Sequence, residues 1–299
     1  MKPEEKYPHL SSVAASMADR DDEDRISYIR RDRFLAHTRA EEVLNELEML
    51  YRMEDAVRPQ GRLIVGRPLM GKSTIIDAFL RNHRASDNPD GNAAVVPVVM
   101  VQYPETASEG VYPVILSKLN ARMPVNAKPQ ALREATVKLL RAVGMKILLI
   151  DELHNVMEGS ANAQRKGLNS IKFLMNELRR PVVAAGTLEV FNAIQTDPQI
   201  SSRLRRLPLE RFKDDAQFQE LLILFEMALP LRMASGLDDP VLSSFIFERT
   251  MGIVGHVADL LNSAAIQAIN YGVEKITEEV IRNAGWDASR DDADLKASV

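Results

Sequence analysis

The chain has 299 residues and a formal net charge of -4, with 45% hydrophobic and 27% charged residues, the balance of an ordinary soluble globular protein. It contains no cysteine, which excludes disulfides, thiolate nucleophiles and cysteine-based zinc sites. The first residues, MKPEEKYPHL, lack the apolar core of a signal peptide, and no apolar run approaches the roughly 20 residues that span a bilayer. These features predict a soluble cytoplasmic protein with no membrane partner.

The predicted elements change character along the chain. Residues 1–25 are polar and mixed in charge, and they predict a loosely held, flexible arm. A helix is predicted next, and then apolar strands alternate with helices; the predicted strands are RLIV, AVVPVVMVQY, MKILLIDE and PVVAAGT. Strands that are apolar throughout and separated by helices predict an α/β fold with a parallel sheet covered on both faces.

Beyond about residue 213 the apolar spacing is helical only. The sequence therefore predicts an α/β domain over residues 26–212 and a small all-helical domain over residues 213–285. The last segment, residues 286–299, is polar and is predicted to be a mobile tail.

The stretch GRPLMGKST directly follows the first predicted strand and matches the phosphate-binding pattern G-x-x-x-x-G-K-[ST]. Such a loop turns backbone N–H groups toward phosphate oxygens, and glycine adopts the positive φ angles that the turn requires. Lys72 is expected to reach the β- and γ-phosphates, and Ser73 to offer its hydroxyl to Mg²⁺. The predicted nucleotide-binding residues are Gly66, Arg67, Pro68, Leu69, Met70, Gly71, Lys72, Ser73 and Thr74.

An acidic pair, Asp151 and Glu152, ends the third predicted strand. Open α/β sheets hold their ligands at the carboxyl edge of the strands. Asp151 is therefore predicted to bind nucleotide-associated Mg²⁺, directly or through water, and Glu152 to polarise the attacking water. Together with the loop, this pair predicts a nucleoside triphosphatase.

This order of motifs resembles the AAA+ ATPases, and the resemblance implies roles for further residues. Thr187, which ends the fourth predicted strand, would sense the γ-phosphate; a strand-capping threonine is the alternative. Arg203 would reach the nucleotide of a neighbouring subunit, although Arg205 or Arg206 could take that role. His256 stands where the family often has an arginine near the γ-phosphate, so it either contacts nucleotide or is a helix-start residue.

A narrower resemblance rests on the strings ILLIDELHNV, PVVAAGTLEVFNAI, DPQISSRLRRLPLERF and MGIVGHVADLLNSAAIQAI, which look like the TniB family of transposition regulators. The resemblance implies an ATPase that uses ATP and Mg²⁺ and assembles as a ring or helical filament on double-stranded DNA. It also implies a DDE transposase of the TniA type and a TniQ-like targeting protein as partners, and places residues 29–34 beside the adenine. A chain of charge -4 needs a local basic surface for DNA, and the candidates are Lys118, Arg122, Lys128, Arg165 and Lys166.

Two other functions fit the motifs. An IstB-like protein or a replication helicase loader would carry the same nucleotide-binding motifs. A nucleotide-switched signalling scaffold would bind proteins and not DNA, and its expected feature is a long sensor or repeat domain.

Overall fold

The structure is a computed structural model that describes residues 6–54, 56–88, 94–106, 110–122 and 127–286. Within these ranges no helix combines the length and apolarity needed to cross a bilayer. The strands are β1 (Gly61–Val65), β2 (Val98–Gln102), β3 (Ile147–Asp151), β4 (Val182–Gly186) and β5 (Leu204–Pro208). The helices are α1 (Ser12–Ala18), α2 (Asp22–Ile29), α3 (Thr38–Tyr51), α4 (Lys72–Asn82), α5 (Val111–Lys118), α6 (Pro129–Ala142), a 3₁₀ helix (Leu153–Glu158), α7 (Ala161–Leu178), α8 (Leu188–Gln195), α9 (Pro198–Ser201), α10 (Ala216–Ala228), α11 (Pro240–Thr250), α12 (Val254–Asn270) and α13 (Glu278–Asn283).

The chain divides into two compact units, and the larger one contains residues 41–68 and 72–210. Its five-stranded sheet has the order β2-β3-β4-β1-β5, and every neighbouring pair is parallel. The α/β fold with a parallel sheet, predicted from the sequence, is therefore confirmed. Because the strands are parallel, β1, β3 and β4 all end at the same edge of the sheet.

The three central strands are buried along their whole length, which explains why their sequences are apolar without alternation. Helix α7 covers the sheet with a buried stripe that includes Ile171, Leu174 and Leu178. Helix α4 buries Ile75 and Phe79 at helical spacing. This packing fixes the strand ends that carry the predicted site.

The strand β5 is missing from the elements predicted from sequence. Its residues, LRRLP, pair in register with β1 at the edge of the sheet. Only Leu204 is buried in this strand, while Arg205 and Arg206 are exposed. An edge strand with charged side chains does not show the apolar pattern of a central strand, and the charges discourage pairing with another chain.

The smaller unit contains, among the described residues, 6–40, 69–71 and 211–286. Its core is built by α10, α11, α12 and α13 together with the N-terminal helix α2. The predicted all-helical character of the C-terminal residues agrees with these elements. Residues 26–40, however, cluster with this helical unit and not with the sheet, in contrast to the predicted division at residue 213.

The predicted loose arm is wrong for residues 6–25, which form α1 and the first half of α2. Arg25 is fully buried, and its guanidinium donates two hydrogen bonds to the carbonyl of Pro230, at 3.1 and 2.9 Å. Its second partner is the carboxylate of Glu274, which lies 2.5 Å away. A buried charge with these partners anchors the segment, although its polar composition suggested mobility.

Candidate nucleotide-binding site

The loop after β1 has the backbone that phosphate binding requires. Gly66 follows the buried strand and donates its N–H to the carbonyl of Gly186, at 3.2 Å, so this loop starts beside the end of β4. Gly71 has a φ of 83°, which side chains rarely allow, and Leu69 also has a positive φ, at 60°. Helix α4 begins at the next residue, and the free N–H groups of its first turn make that end attractive to an anion.

The ammonium of Lys72 is held inside this loop. It donates hydrogen bonds to the carbonyls of Gly66, at 2.9 Å, and Arg67, at 2.8 Å, and the side chain is buried. Burial lowers the pKa of Lys72, while the charges of Glu152 and Asp151 act to raise it. The lysine is therefore placed before any ligand arrives and is within electrostatic reach of both predicted acidic residues. Ser73 and Thr74 follow it in the exposed first turn of α4.

Asp151 is the last residue of β3 and is 1% exposed. One carboxylate oxygen, Oδ1, accepts a hydrogen bond from the N–H of Glu152, at 2.8 Å. The other, Oδ2, is buried and has no hydrogen-bond partner among the described residues. An unpartnered buried carboxylate oxygen is costly, and a hard cation or its bound water is a fitting partner. The donor set therefore fits Mg²⁺ on this side of the loop.

Glu152 has left-handed backbone angles, with φ 53° and ψ 36°. For a residue other than glycine this conformation costs about 1–2 kcal/mol, and such strain tends to occur at functional positions. Its carboxylate oxygen Oε2 lies 3.1 Å from Nε2 of His154. His154 is not among the site residues predicted from the sequence, although it stands two residues after Glu152 in the same DELH string.

Thr187 follows β4 directly and starts α8, but its side chain makes no cap hydrogen bond. Its hydroxyl is buried, and the described part of the chain offers it no partner. The alternative, a threonine whose hydroxyl caps the end of the strand, therefore finds no supporting hydrogen bond among the described residues. The structure brings Thr187 together with the loop, because the preceding Gly186 pairs with Val65 across the sheet.

Arg203 lies away from this edge of the sheet. It precedes β5, and Leu204 pairs with Gly61 at the start of β1, five residues before the loop. At about 3.3 Å per residue the two edges are roughly 16 Å apart. Its guanidinium donates to the side-chain oxygen of Asn176. The predicted arginine therefore faces a different side of the sheet unit from Lys72.

In the helical unit, the loop residue Leu69 is in contact with the start of α12. Its carbonyl accepts a hydrogen bond from the N–H of Gly255, at 2.8 Å. A Cβ on Gly255 would lie 2.8 Å from the Cβ of Leu69, which is too close, so only glycine fits there. His256 is in the first turn of α12, as one interpretation predicted, and its buried ring lies edge-on to Trp286, with centroids 5.6 Å apart.

The basic residues proposed for DNA are all exposed on the sheet unit. Lys118 ends α5 and lines a cavity of about 710 Å³ beside β2, together with Arg81 and Arg84. Arg165 and Lys166 lie on α7, whereas Arg122 and Lys128 lie in irregular structure between α5 and α6. The exposed candidates are Lys118, Arg122, Lys128, Arg165 and Lys166.

Solved structures with a similar fold include ORC and Cdc6 proteins. The ORC1 protein of Aeropyrum pernix in complex with DNA is 20% identical, with a TM-score of 0.59, over 87% of this chain and 68% of that one. Cdc6p from Pyrobaculum aerophilum is 18% identical, with a TM-score of 0.60, over 89% and 70%. The ORC2 protein of Aeropyrum pernix in its ADP form is 15% identical, with a TM-score of 0.57, over 86% and 71%. These identities show the fold alone, an AAA+ P-loop ATPase fold.

A comparison with curated proteins found no match. The profile of the family described as bacterial TniB protein, in contrast, matches residues 25–214, which include the phosphate-binding loop, the acidic pair, Thr187 and Arg203. Since that match covers more than half of the chain, the chain belongs to the TniB family.

Proposed function

We propose that this protein is an ATP-dependent regulator of DNA transposition, which assembles on double-stranded DNA and recruits or activates a transposase. The observation that carries the ATPase part is the arrangement of Lys72, Asp151 and Thr187 at one edge of the sheet. There a hydrogen-bonded ammonium lies within electrostatic reach of a buried carboxylate, and two buried oxygens find no partner among the residues that the structure describes. Membership of the TniB family supports the transposition part.

In the proposed site, the loop N–H groups and the first turn of α4 bind the triphosphate of ATP. Lys72 exchanges its carbonyl partners for β- and γ-phosphate oxygens, which are stronger acceptors because they are charged. Ser73 and Asp151 would hold Mg²⁺, which supplies charge neutralisation at the phosphates. Thr187 would direct its free hydroxyl to the γ-phosphate or to the attacking water.

Glu152 would act as the general base. Its carboxylate accepts a proton from a water molecule while the water oxygen bonds to the γ-phosphorus. The bond from that phosphorus to the bridging oxygen breaks, and the bridging oxygen keeps the electron pair as ADP leaves. The proton then passes from Glu152 to phosphate or solvent, so the carboxylate is restored.

Arg203 would act on the nucleotide of a neighbouring copy, with Arg205 or Arg206 as alternatives. This proposal agrees with its position roughly 16 Å from its own loop, across the length of β1. Hydrolysis then depends on assembly as a ring or filament. Duplex DNA would stabilise the assembly, because each copy would contribute several weak contacts to the phosphates. The residues proposed to make these contacts are Lys118, Arg122, Lys128, Arg165 and Lys166. The protein partners would be a TniA-like DDE transposase and a TniQ-like targeting protein.

Nucleotide binding is tested by the affinity for Mg-ATP of the parental protein and of Lys72→Ala. We expect Lys72→Ala to lose most of the affinity, because it removes the ammonium from the loop. Lys138→Ala, which changes an exposed lysine on α6, is the control and should bind as the parent does. If the parental protein shows no affinity for adenine nucleotides with Mg²⁺, the proposed function is refuted.

DNA dependence separates this proposal from a signalling scaffold. We expect duplex DNA to stimulate ATP hydrolysis at low salt, and the protein to form rings or filaments on DNA with ATP in electron micrographs. Indifference to DNA at low salt would favour the scaffold. If the protein is a helicase loader, its ATP-dependent partner should be a helicase. If it is IstB-like, that partner should be an insertion-sequence transposase.

A further inference from the structure

We propose that His154 is a positioning residue for ATP hydrolysis, which holds the carboxylate of Glu152 toward the phosphate site. The inference rests on the proposed ATPase function and adds a residue to its site. It starts from the 3.1 Å contact between His154 Nε2 and Glu152 Oε2, the one contact of the Glu152 carboxylate with another side chain in the described part of the structure.

The carboxylate in this pair is within electrostatic reach of the phosphate-binding lysine. The negative charges of Glu152 and Asp151 both act to raise the pKa of Lys72, and the effect of Glu152 is the larger one. In the proposed site, the contact with His154 would hold the Glu152 carboxylate toward the water that attacks the γ-phosphate. With its proton on Nε2, the imidazole donates to Glu152 and leaves the second carboxylate oxygen free to accept a proton.

The backbone around the pair is fixed on both sides. The N–H of Tyr103 donates to the carbonyl of Asp151, at 2.8 Å, and the side-chain amide of Asn155 donates to the carbonyl of Tyr103, at 3.1 Å. The N–H of Asn155 also donates to the carbonyl of Glu152, at 3.0 Å. These hydrogen bonds attach residues 151–155 to the end of β2, and they hold the backbone that carries His154 in place.

The other ring nitrogen of His154, Nδ1, is buried and has no hydrogen-bond partner among the described residues. A histidine kept for fold stability normally satisfies both nitrogens, whereas this ring makes its polar contact with the general base alone. A carboxylate on a flexible three-torsion side chain needs such a contact, because a displacement of about 1 Å costs roughly a hundredfold in rate.

The test is steady-state ATP hydrolysis, with duplex DNA present, by the parental protein, His154→Ala and His154→Gln. We expect His154→Ala to lower kcat by about tenfold to a hundredfold while KM for ATP stays within about threefold. His154→Gln, whose amide nitrogen reaches as far as Nε2, should recover much of the rate. With Glu152→Gln already in place, His154→Ala should cause no further loss.

The matched control is His83→Gln, which changes the 2.5 Å pair of His83 with Glu48 in the same unit and should leave kcat unchanged. A parental kcat in His154→Ala, a higher kcat, or no recovery in His154→Gln would overturn the proposal. If the parental protein itself fails to hydrolyse ATP, the proposed function has failed. If the parent hydrolyses ATP and His154→Ala does so equally, only the role of His154 has failed.

Discussion

The backbone of Glu152 leads to a prediction about stability that is independent of ligand binding. Its angles, φ 53° and ψ 36°, are left-handed, a conformation that costs a residue with a Cβ about 1–2 kcal/mol and glycine very little. Glu152→Gly and Glu152→Ala both remove the carboxylate and its contact with His154. The difference between the two variants therefore reports the backbone strain together with the conformational entropy that glycine adds to the unfolded chain.

The expected difference follows from two opposing effects. Glycine removes the strain of about 1–2 kcal/mol, but it gains about 0.5–1 kcal/mol of conformational entropy in the unfolded chain relative to alanine. Glu152→Gly should therefore be more stable than Glu152→Ala by about 0.5–1 kcal/mol. In a unit of this size that difference raises the midpoint of thermal unfolding by roughly 1–4 °C.

The assay is thermal and urea unfolding of both variants without nucleotide, alongside their ATPase rates, which should be lost in both. Arg179 gives a matched control, because it caps α7 with φ 54° and ψ 27° and lies outside the proposed site. Arg179→Gly should likewise exceed Arg179→Ala in stability, with hydrolysis retained. If Glu152→Ala is as stable as Glu152→Gly while Arg179→Gly is more stable than Arg179→Ala, the strain assigned to Glu152 is refuted.

Three further predictions concern the loop, the helical unit and assembly. Gly255→Ala should weaken nucleotide affinity measured by titration, because its Cβ would lie 2.8 Å from that of Leu69; unchanged affinity would contradict this. Burial, and then the charge of Arg39, lower the pKa of His37 to about 4 in the folded protein. As the pH falls, the unfolded chain therefore binds a proton at His37 before the folded protein does. The free energy of unfolding should decrease by up to about 3 kcal/mol as the pH falls from 6.5 to 4. Urea unfolding of His37→Gln across that range should show a smaller dependence on pH. Arg203→Ala should bind ATP normally when dilute and lose hydrolysis only in the assembly; an equal loss in both conditions would argue against action on a neighbouring copy.

The sequence was most informative where burial and chemistry coincide. The strand before Gly66 and the strand that ends at Asp151 are buried on both faces, so their apolar runs were visible and the polar residues after them were conspicuous. Parallel order then brings those residues to one edge, as the structure shows. The motif residues could be located because their chemistry depends on short-range spacing along the chain.

The features that the sequence analysis missed depend on long-range contacts. Residues 6–25 are rich in charged residues, and the charge of Arg25 in this segment is neutralised by Glu274, 249 positions away. The strand β5 was hidden because its arginines are exposed at the edge of the sheet. Glycine is required at position 255 because the backbone there lies close to Leu69, and a local sequence pattern does not predict a contact between residues so far apart in the chain.

Several buried oxygens and nitrogens have no hydrogen-bond partner within the part of the chain that the structure describes, and their positions are informative. Those of Asp151, His154 and Thr187 belong to residues that end β3 or β4 or follow within three positions. The unpartnered hydroxyl of Tyr103, in contrast, is packed against Gly167 of α7. Ser243 in the helical unit is a further case and shows that such an atom is not by itself a site. Folding alone gives no reason to leave polar atoms unsatisfied at the ends of two adjacent strands, because each costs about 1–3 kcal/mol. A ligand that supplies several partners at once removes that cost, and the edge of the sheet with the phosphate-binding loop is where such a ligand would lie.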